Sequence, residues 1–223
     1  LDHSDKDKLD SVITCFGSLF EYVYTLQCPY YFTDTDIVRY TNLRTLDCEH
    51  CVYITDKGIG ELKHLTYIDC GDCKGITNKS IKELKCLTTL ICGRSAISDK
   101  CIKVLRNLTS LDCSGYSKIT DSGIKKLKNL TSLNCGDNDN ITDYGINELT
   151  NLTHLYCFGC QRITDTGIKE LKLLETLECA YCDNITDVGI RKLKNLKKFD
   201  YREYYNITKT LMEDFETKIE VDY

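Results

Sequence analysis

Ile119-Thr120-Asp121-Ser122-Gly123-Ile124-Lys125-Lys126-Leu127-Lys128-Asn129-Leu130-Thr131-Ser132-Leu133-Asn134-Cys135 carries two periodicities in one short phrase. In its second part Leu133 and Cys135 alternate with Ser132 and Asn134. A strand turns alternate side chains to opposite faces, so Leu133 and Cys135 face a core and Ser132 and Asn134 face out. In its first part Ile124, Leu127 and Leu130 recur every third residue, a helical spacing over 120–130. Thr120 or Asp121 is placed to cap that short helix by accepting a backbone N–H.

The phrase returns along almost the whole chain. Its first Ile falls at Ile54, Ile76, Ile97, Ile119, Ile141, Ile163, Ile185 and Ile207, in steps of 22, 21, 22, 22, 22, 22 and 22 residues. A fixed period in this range means a solenoid, whose units bury their apolar faces only against their neighbours. The fold class is therefore an α/β solenoid. Stacked units make a parallel sheet on one side, with strands about 4.8 Å apart, and a row of short helices on the other.

The pattern Leu152-x-x-Leu155-x-Cys157-x-x-Cys160 resembles the leucine-rich repeat family in its short form. The Ile-Thr-Asp-x-Gly-Ile that follows is similar to the cysteine-containing repeats of many F-box proteins. The resemblance covers roughly residues 32 to 206 as eight units. It implies a curved array with a concave parallel sheet and convex helices. There are departures. Cys stands for the third Leu in nearly every unit, and Ser95, Tyr116 and Asn138 occupy the second Cys position elsewhere. The first clear unit begins Phe32-Thr33-Asp34, with Asp36 where Gly is usual.

The ends differ, as solenoid ends must if their cores are to be covered. Residues 1–31 read as an N-terminal cap, with an amphipathic stretch from Leu9 to Tyr24 and a strand at Leu26-Gln27-Cys28. Asp7-x-Leu9, Cys15, Phe16, Phe20 and Tyr22 also resemble the second half of an F-box, and a start at Leu1 is what trimming would leave. Tyr201 and Tyr204 replace both cysteines of the last full unit. Residues 207–223 read as a C-terminal cap, with a closing helix at Leu211, Met212 and Phe215 and a strand at Ile219 and Val221.

A net charge of -5 disfavours nucleic acid as a partner. No apolar run approaches the roughly 18 residues that span a bilayer, so no membrane partner is expected. The 15 cysteines follow the repeat and read as reduced, buried thiols of a cytosolic or nuclear protein. Cys48-x-x-Cys51 with Cys70-x-x-Cys73, and Cys157-x-x-Cys160 with Cys179-x-x-Cys182, have zinc-ligand spacing. The repeat period produces that spacing by itself, so no metal or cofactor is assigned. His50 sits between Cys48 and Cys51, but alternation turns it outward while both cysteines face in. No catalytic motif is present, which points away from an enzyme. Asn-x-Ser/Thr occurs at Asn78, Asn107, Asn129, Asn140, Asn151, Asn184 and Asn206, and the repeat generates most of these.

The surface that carries function is the outward face of the strands. Its central position reads Gln27, Asp47, Asp69, Ile91, Asp112, Asn134, Tyr156, Glu178 and Asp200, five of them acidic. Glu49, Asp72 and Asp137 flank it, with Tyr67, His154, Phe158 and Tyr181 beside it. Stacked carboxylates repel, while aromatics among acids suit a protein interface. Lys125, Lys126, Lys128, Arg191, Lys192 and Lys194 bias the helical face the other way. The expected partner is a protein with a basic surface, steered to the sheet by charge. The F-box resemblance implies the sharper role of substrate receptor, with a ubiquitin ligase adaptor as second partner. A secreted or host-delivered binding protein is the alternative.

Overall fold

A computed structural model covers the chain, and residues 19–200 with Thr208 and Leu211 are described. Nine parallel strands form one sheet in sequence order. They are Thr25–Gln27 (β1), Thr45–Asp47 (β2), Tyr67–Asp69 (β3), Thr89–Ile91 (β4) and Ser110–Asp112 (β5). Ser132–Asn134 (β6), His154–Tyr156 (β7), Thr176–Glu178 (β8) and Lys198–Asp200 (β9) complete it. Leu46, Ile68, Leu90, Leu111, Leu133, Leu155, Leu177 and Phe199 stand in one register and are buried. This is the inward row that alternation predicts. Each unit adds one strand and one turn of helix, so the core is a continuous apolar column and not a ball.

The helical halves are shorter than their spacing predicts. In the phrase quoted first the helix is only Asp121–Ile124. Leu127 N–H then donates to Ile124 O at 2.8 Å and Leu130 N–H to Leu127 O at 3.0 Å. These are i to i+3 turns, in which side chains three apart eclipse. A spacing of exact threes is the mark of such turns, whereas a longer helix needs 3.6.

Capping divides between the two candidate residues. Thr120 caps its own helix, accepting Ser122 N–H at 3.1 Å. Asp121 instead reaches the next unit, where its carboxylate accepts Thr142 N–H at 2.8 Å and Thr142 Oγ1–H at 2.7 Å. The same staple joins Asp34 to Thr55, Asp56 to Thr77, Asp99 to Thr120, Asp143 to Thr164, Asp165 to Thr186 and Asp187 to Thr208. A neutral version pairs Asn78 with Ser98.

The staple explains the Gly of Ile-Thr-Asp-x-Gly-Ile. A Cβ at Gly167 would stand 3.0 Å from Asp143 Cα and run into Asp143 Oδ1. Ser80 is tolerated because its Oγ–H joins the staple, donating to Asp56 Oδ1 at 2.6 Å. Asp36, the departure at the first unit, does the staple's work from within. It accepts Thr33 N–H at 2.8 Å and Thr33 Oγ1–H at 2.7 Å, the two groups that a preceding Asp holds elsewhere.

One sequence assignment is corrected. Tyr116 does not fill the second Cys position: it is 85% exposed with φ +58°, and Ser117 is buried there. The place between rungs admits Cys, Ser or Asn but not a phenol. Gly115 and Tyr116 both turn left-handed to swing the ring out. Ser117 Oγ then accepts Ile119 N–H at 3.2 Å, as Ser95 Oγ accepts Ile97 N–H in the shortened unit. Asn138 fills the same place by donating to Cys113 O and Ile119 O, both at 3.2 Å.

The second cysteines are donors to the preceding rung. Cys73 Sγ–H reaches Cys48 O at 2.9 Å, Cys160 reaches Cys135 O at 3.0 Å and Cys182 reaches Cys157 O at 2.8 Å. Burial pushes the Cys51 thiol up to about 11 and the Cys70 thiol well above its ordinary range. Thiols raised in this way stay protonated at neutral pH and pack as small apolar groups, whereas hydrogen bonding with Cys48 and Cys135 lowers the Cys73 and Cys160 thiols. The described cysteines are all free, and no group of three or more metal-ligating side chains occurs among the described residues.

At the ends, Phe20 packs edge-on to Tyr40 at 4.9 Å beside a short 3-10 helix, Leu19–Tyr22, and Leu211 is buried. The expectations for Asp7, Leu9, Cys15, Phe16, Tyr201, Tyr204, Met212, Phe215, Ile219 and Val221 lie outside the described residues.

Candidate protein-docking face

Strand register brings the acidic positions together. Gln27, Asp47, Asp69, Ile91, Asp112, Asn134, Tyr156, Glu178 and Asp200 are consecutive partners across the sheet, one row from end to end. Tyr67 and His154 share a different outward row and are not gathered, since β3 and β7 stand four strands apart. Phe158 and Tyr181 are gathered. Their rings meet edge-on at 5.1 Å, and they are 47% and 43% exposed.

The stripe has a local task that alternation does not reveal. Asp69 Oδ1 accepts Gly71 N–H at 3.0 Å, and Asp112 Oδ1 accepts Ser114 N–H at 2.9 Å. Asn134 Oδ1 accepts Gly136 N–H at 3.1 Å, so an amide does the same work. These are side-chain turns that hold the chain as it leaves β3, β5 and β6. The second oxygen pairs sideways: Gln27 Nε2–H reaches Asp47 Oδ2 at 3.2 Å and Asn134 Nδ2–H reaches Asp112 Oδ2 at 2.7 Å.

Repulsion along the row remains. Burial, then Glu49, Asp47 and Asp112, hold the Asp69 carboxyl above its ordinary value of 3.8. Burial, then Asp69, Asp47 and Glu49, push the Tyr67 phenol up. A raised carboxyl pKa means that ionisation opposes folding above the folded value and ceases to matter below the unfolded one. Asp69→Asn should therefore raise the melting temperature at pH 7, and the gain should vanish below pH 3.8. Equal gains at both pH values would place no ionisation cost on Asp69.

The turn after each strand holds what the sequence reading missed. The residue after each strand-end Cys reads Glu49, Gly71, Gly93, Ser114, Gly136, Phe158 and Ala180. Beyond it His50, Asp72, Arg94, Asp137 and Tyr181 all adopt left-handed φ between +52° and +60°. A left-handed non-glycine residue costs roughly 1 kcal/mol. The ladder repays it, since His50 N–H bonds Gly71 O, Asp72 N–H bonds Gly93 O and Asp137 N–H bonds Phe158 O. The recurring Cys-Gly pair was the available signal for these turns. Between Glu49 and Phe158 they enclose a cleft of about 370 Å³, bordered also by Asp72, Arg94, Asp112 and Asp137.

The Leucine Rich repeat family model matches residues 148–172. The fold is a leucine-rich repeat solenoid. Internalin C2 of Listeria monocytogenes is similar over 86% of this chain and 83% of its own, at 23% identity and TM-score 0.60. A second internalin of that organism, InlF, is similar over 86% of this chain and 71% of its own, at 19% identity and TM-score 0.58. TLR13, solved as its ssRNA13 complex, is similar over 92% of this chain and 33% of its own, at 18% identity and TM-score 0.66. No curated protein matches this sequence.

The leucine-rich repeat sequons are structural. Asn107 Nδ2–H donates to Lys85 O, Asn129 to Arg106 O, Asn151 to Lys128 O and Asn184 to Gln161 O, at 2.7–3.0 Å. A glycan on any of these nitrogens would replace one of its two N–H groups and crowd a bond that ties neighbouring rungs. On the helical side Lys128 pairs with Glu148 at 2.8 Å, and Lys125 lies 4.4 Å from the Tyr144 ring centre. Part of that basic face is thus engaged within the array.

Proposed function

We propose that this chain is a non-enzymatic recognition module that grips a protein partner with a basic surface on its sheet face. The observation that carries the reading is the row of acidic and amide side chains, interrupted at Ile91 and Tyr156, that passes the exposed Phe158–Tyr181 pair. Acidic rows steer basic partners, and exposed aromatic pairs supply the apolar anchor that an interface needs. Hydrogen-bonding thiols in the core and sequon asparagines engaged through Nδ2 favour a reducing, cytosolic or nuclear setting over secretion. The sharper reading, a substrate receptor of an F-box type ubiquitin ligase, rests on the resemblance of the cysteine-containing repeats. It adds a ligase adaptor as a second partner.

The test is affinity capture from eukaryotic lysate with mass spectrometry. Its baits are the full reading frame, residues 1–223, and residues 1–223 with Asp47, Asp69, Asp112 and Asp200 reversed to Lys. Proteins captured by the first two baits and lost from the third are sheet-face partners. If capture survives reversal in a folded protein, the stripe is only a solvated face. Adaptor and cullin on the full reading frame support the ligase role, and their absence from every bait removes it.

A further inference from the structure

The cleft behind the acidic row has a floor that the fold constrains most at Gly93, where a Cβ would stand 3.0 Å from Ser114 O, and less at Gly71 and Gly136, where the nearest atoms lie at 3.3 and 3.4 Å. Its floor is the row Gly71, Gly93, Ser114 and Gly136, closed by Glu49 at one end and Phe158 at the other. No left-handed conformation demands glycine at Gly71 or Gly136, because positive φ among the described glycines occurs only at Gly115 and Gly159. A Cβ at Gly136 would make ordinary contact with Phe158 Cβ at 3.4 Å. The same register holds a full side chain at Glu49 and at Phe158, so the backbone accepts one. Small residues at four successive rungs therefore leave a trough open across the strands. From Glu49 to Phe158 is five rungs, about 24 Å at the usual strand spacing. That length matches about seven residues of extended chain.

The charge of the trough selects its occupant. Four carboxylates border it, Glu49, Asp72, Asp112 and Asp137, against the single cation of Arg94. Arg94 sits among them, its side chain lying over Gly115 with Nε 3.0 Å from where a Cβ would be, and it offsets part of their charge. At the closing end Phe158 offers an exposed ring backed by Tyr181, a surface that receives both alkyl stems and cations.

Resting on the sheet-face reading above, we propose that this trough docks an extended segment of the protein partner that carries a lysine or arginine, its cation held by Asp112 and Asp137 and its stem laid against Phe158. The segment crosses the strands along the glycine floor. The acidic row then does two things, holding the turns by accepting hydrogen bonds and setting the negative field at the trough by its charge, which at Asp112 persists although Oδ2 also accepts Asn134 Nδ2–H.

The test uses residues 1–223 as bait for a displayed random heptapeptide library, followed by polarisation measurements on the selected peptides. Selected sequences should share a Lys or Arg at one position. Gly136→Phe should weaken them about tenfold or more by filling the floor. Asp112→Asn keeps the turn, as Asn134 does, and should weaken them several-fold. Arg94→Glu should tighten them, and Lys57→Glu, exposed on the helical side and outside the sheet face, should change little. Free arginine and spermine are the small-molecule probes. If either binds as tightly as the peptides, the occupant is a small cation and the proposal falls. It falls also if no peptide is selected, if those selected lack a common basic residue, or if Gly136→Phe leaves their affinity unchanged. In each case lysate capture that is lost on stripe reversal would keep the sheet-face reading intact. Capture that ignores both the reversal and Gly136→Phe would remove both.

Discussion

Leu133→Asp should destroy cooperative unfolding of this protein. Leu133 is fully buried at β6, an interior strand next to the middle of the sheet, between Leu111 and Leu155 in the inward row. Removing a buried leucine side chain costs about 2–5 kcal/mol, and an unpaired polar group in its place adds about 1–3 more. Together these approach the whole stability of an ordinary domain, about 5–15 kcal/mol. In a stacked array each unit is stabilised mainly by its two neighbours, so a lesion at β6 separates β1–β5 from β7–β9. Thermal unfolding followed by far-ultraviolet circular dichroism should show a broad, early loss in place of one sharp step. An unchanged melting curve would refute the inward assignment of Leu133.

Gly167→Val is the second large effect, and its cause lies in the neighbouring unit. The new Cβ would meet Ile146 Cδ1 at 2.9 Å and Asp143 Cα at 3.0 Å, besides colliding with Asp143 Oδ1. Asp143 would have to release Thr164, losing bonds of 2.7 Å from both the backbone N–H and Oγ1–H. Overpacking and lost charge-assisted bonds together cost about 3 kcal/mol or more. Gly167→Ser should cost much less, because Ser80 at the same register joins its staple. Adding Asp143→Ala to Gly167→Val should cost less than the sum of the two, since the clash and the staple are one interaction. Strict additivity in chemical denaturation would show that the glycine serves some other purpose.

The sequence was most legible where periodicity and burial say the same thing. Leu133 and Cys135 inward, Ser132 and Asn134 outward, followed from alternation alone, and strand register then aligned Asp47 with Asp69 and Asp112 with Asn134 as the repeat required. Tyr116 was misread because counting from Cys113 assumes equal turns. A phenol too large for the gap makes the chain spend an extra left-handed residue, which only packing reveals. The helix over 120–130 was overextended because a spacing of threes fits 3-10 turns as well as a helical face. Tyr67 and His154 were grouped with the aromatics by residue type, yet they stand four strands apart, while Phe158 and Tyr181 touch.

What the sequence by itself determined is the architecture: a period of 22 residues admits only stacked units, and alternation within each unit says which side chains enter the stack. What only the tertiary structure decided is where side chains from different units meet. Asp121 serves Thr142 and not its own helix, Gly145 makes room for Asp121, and four small residues from separate turns line up as one trough. The physical reason is that a hydrogen bond or a steric gap between units depends on the offset of one rung from the next. A period gives the count of residues between rungs. It gives neither the direction of a side chain nor the room beside it.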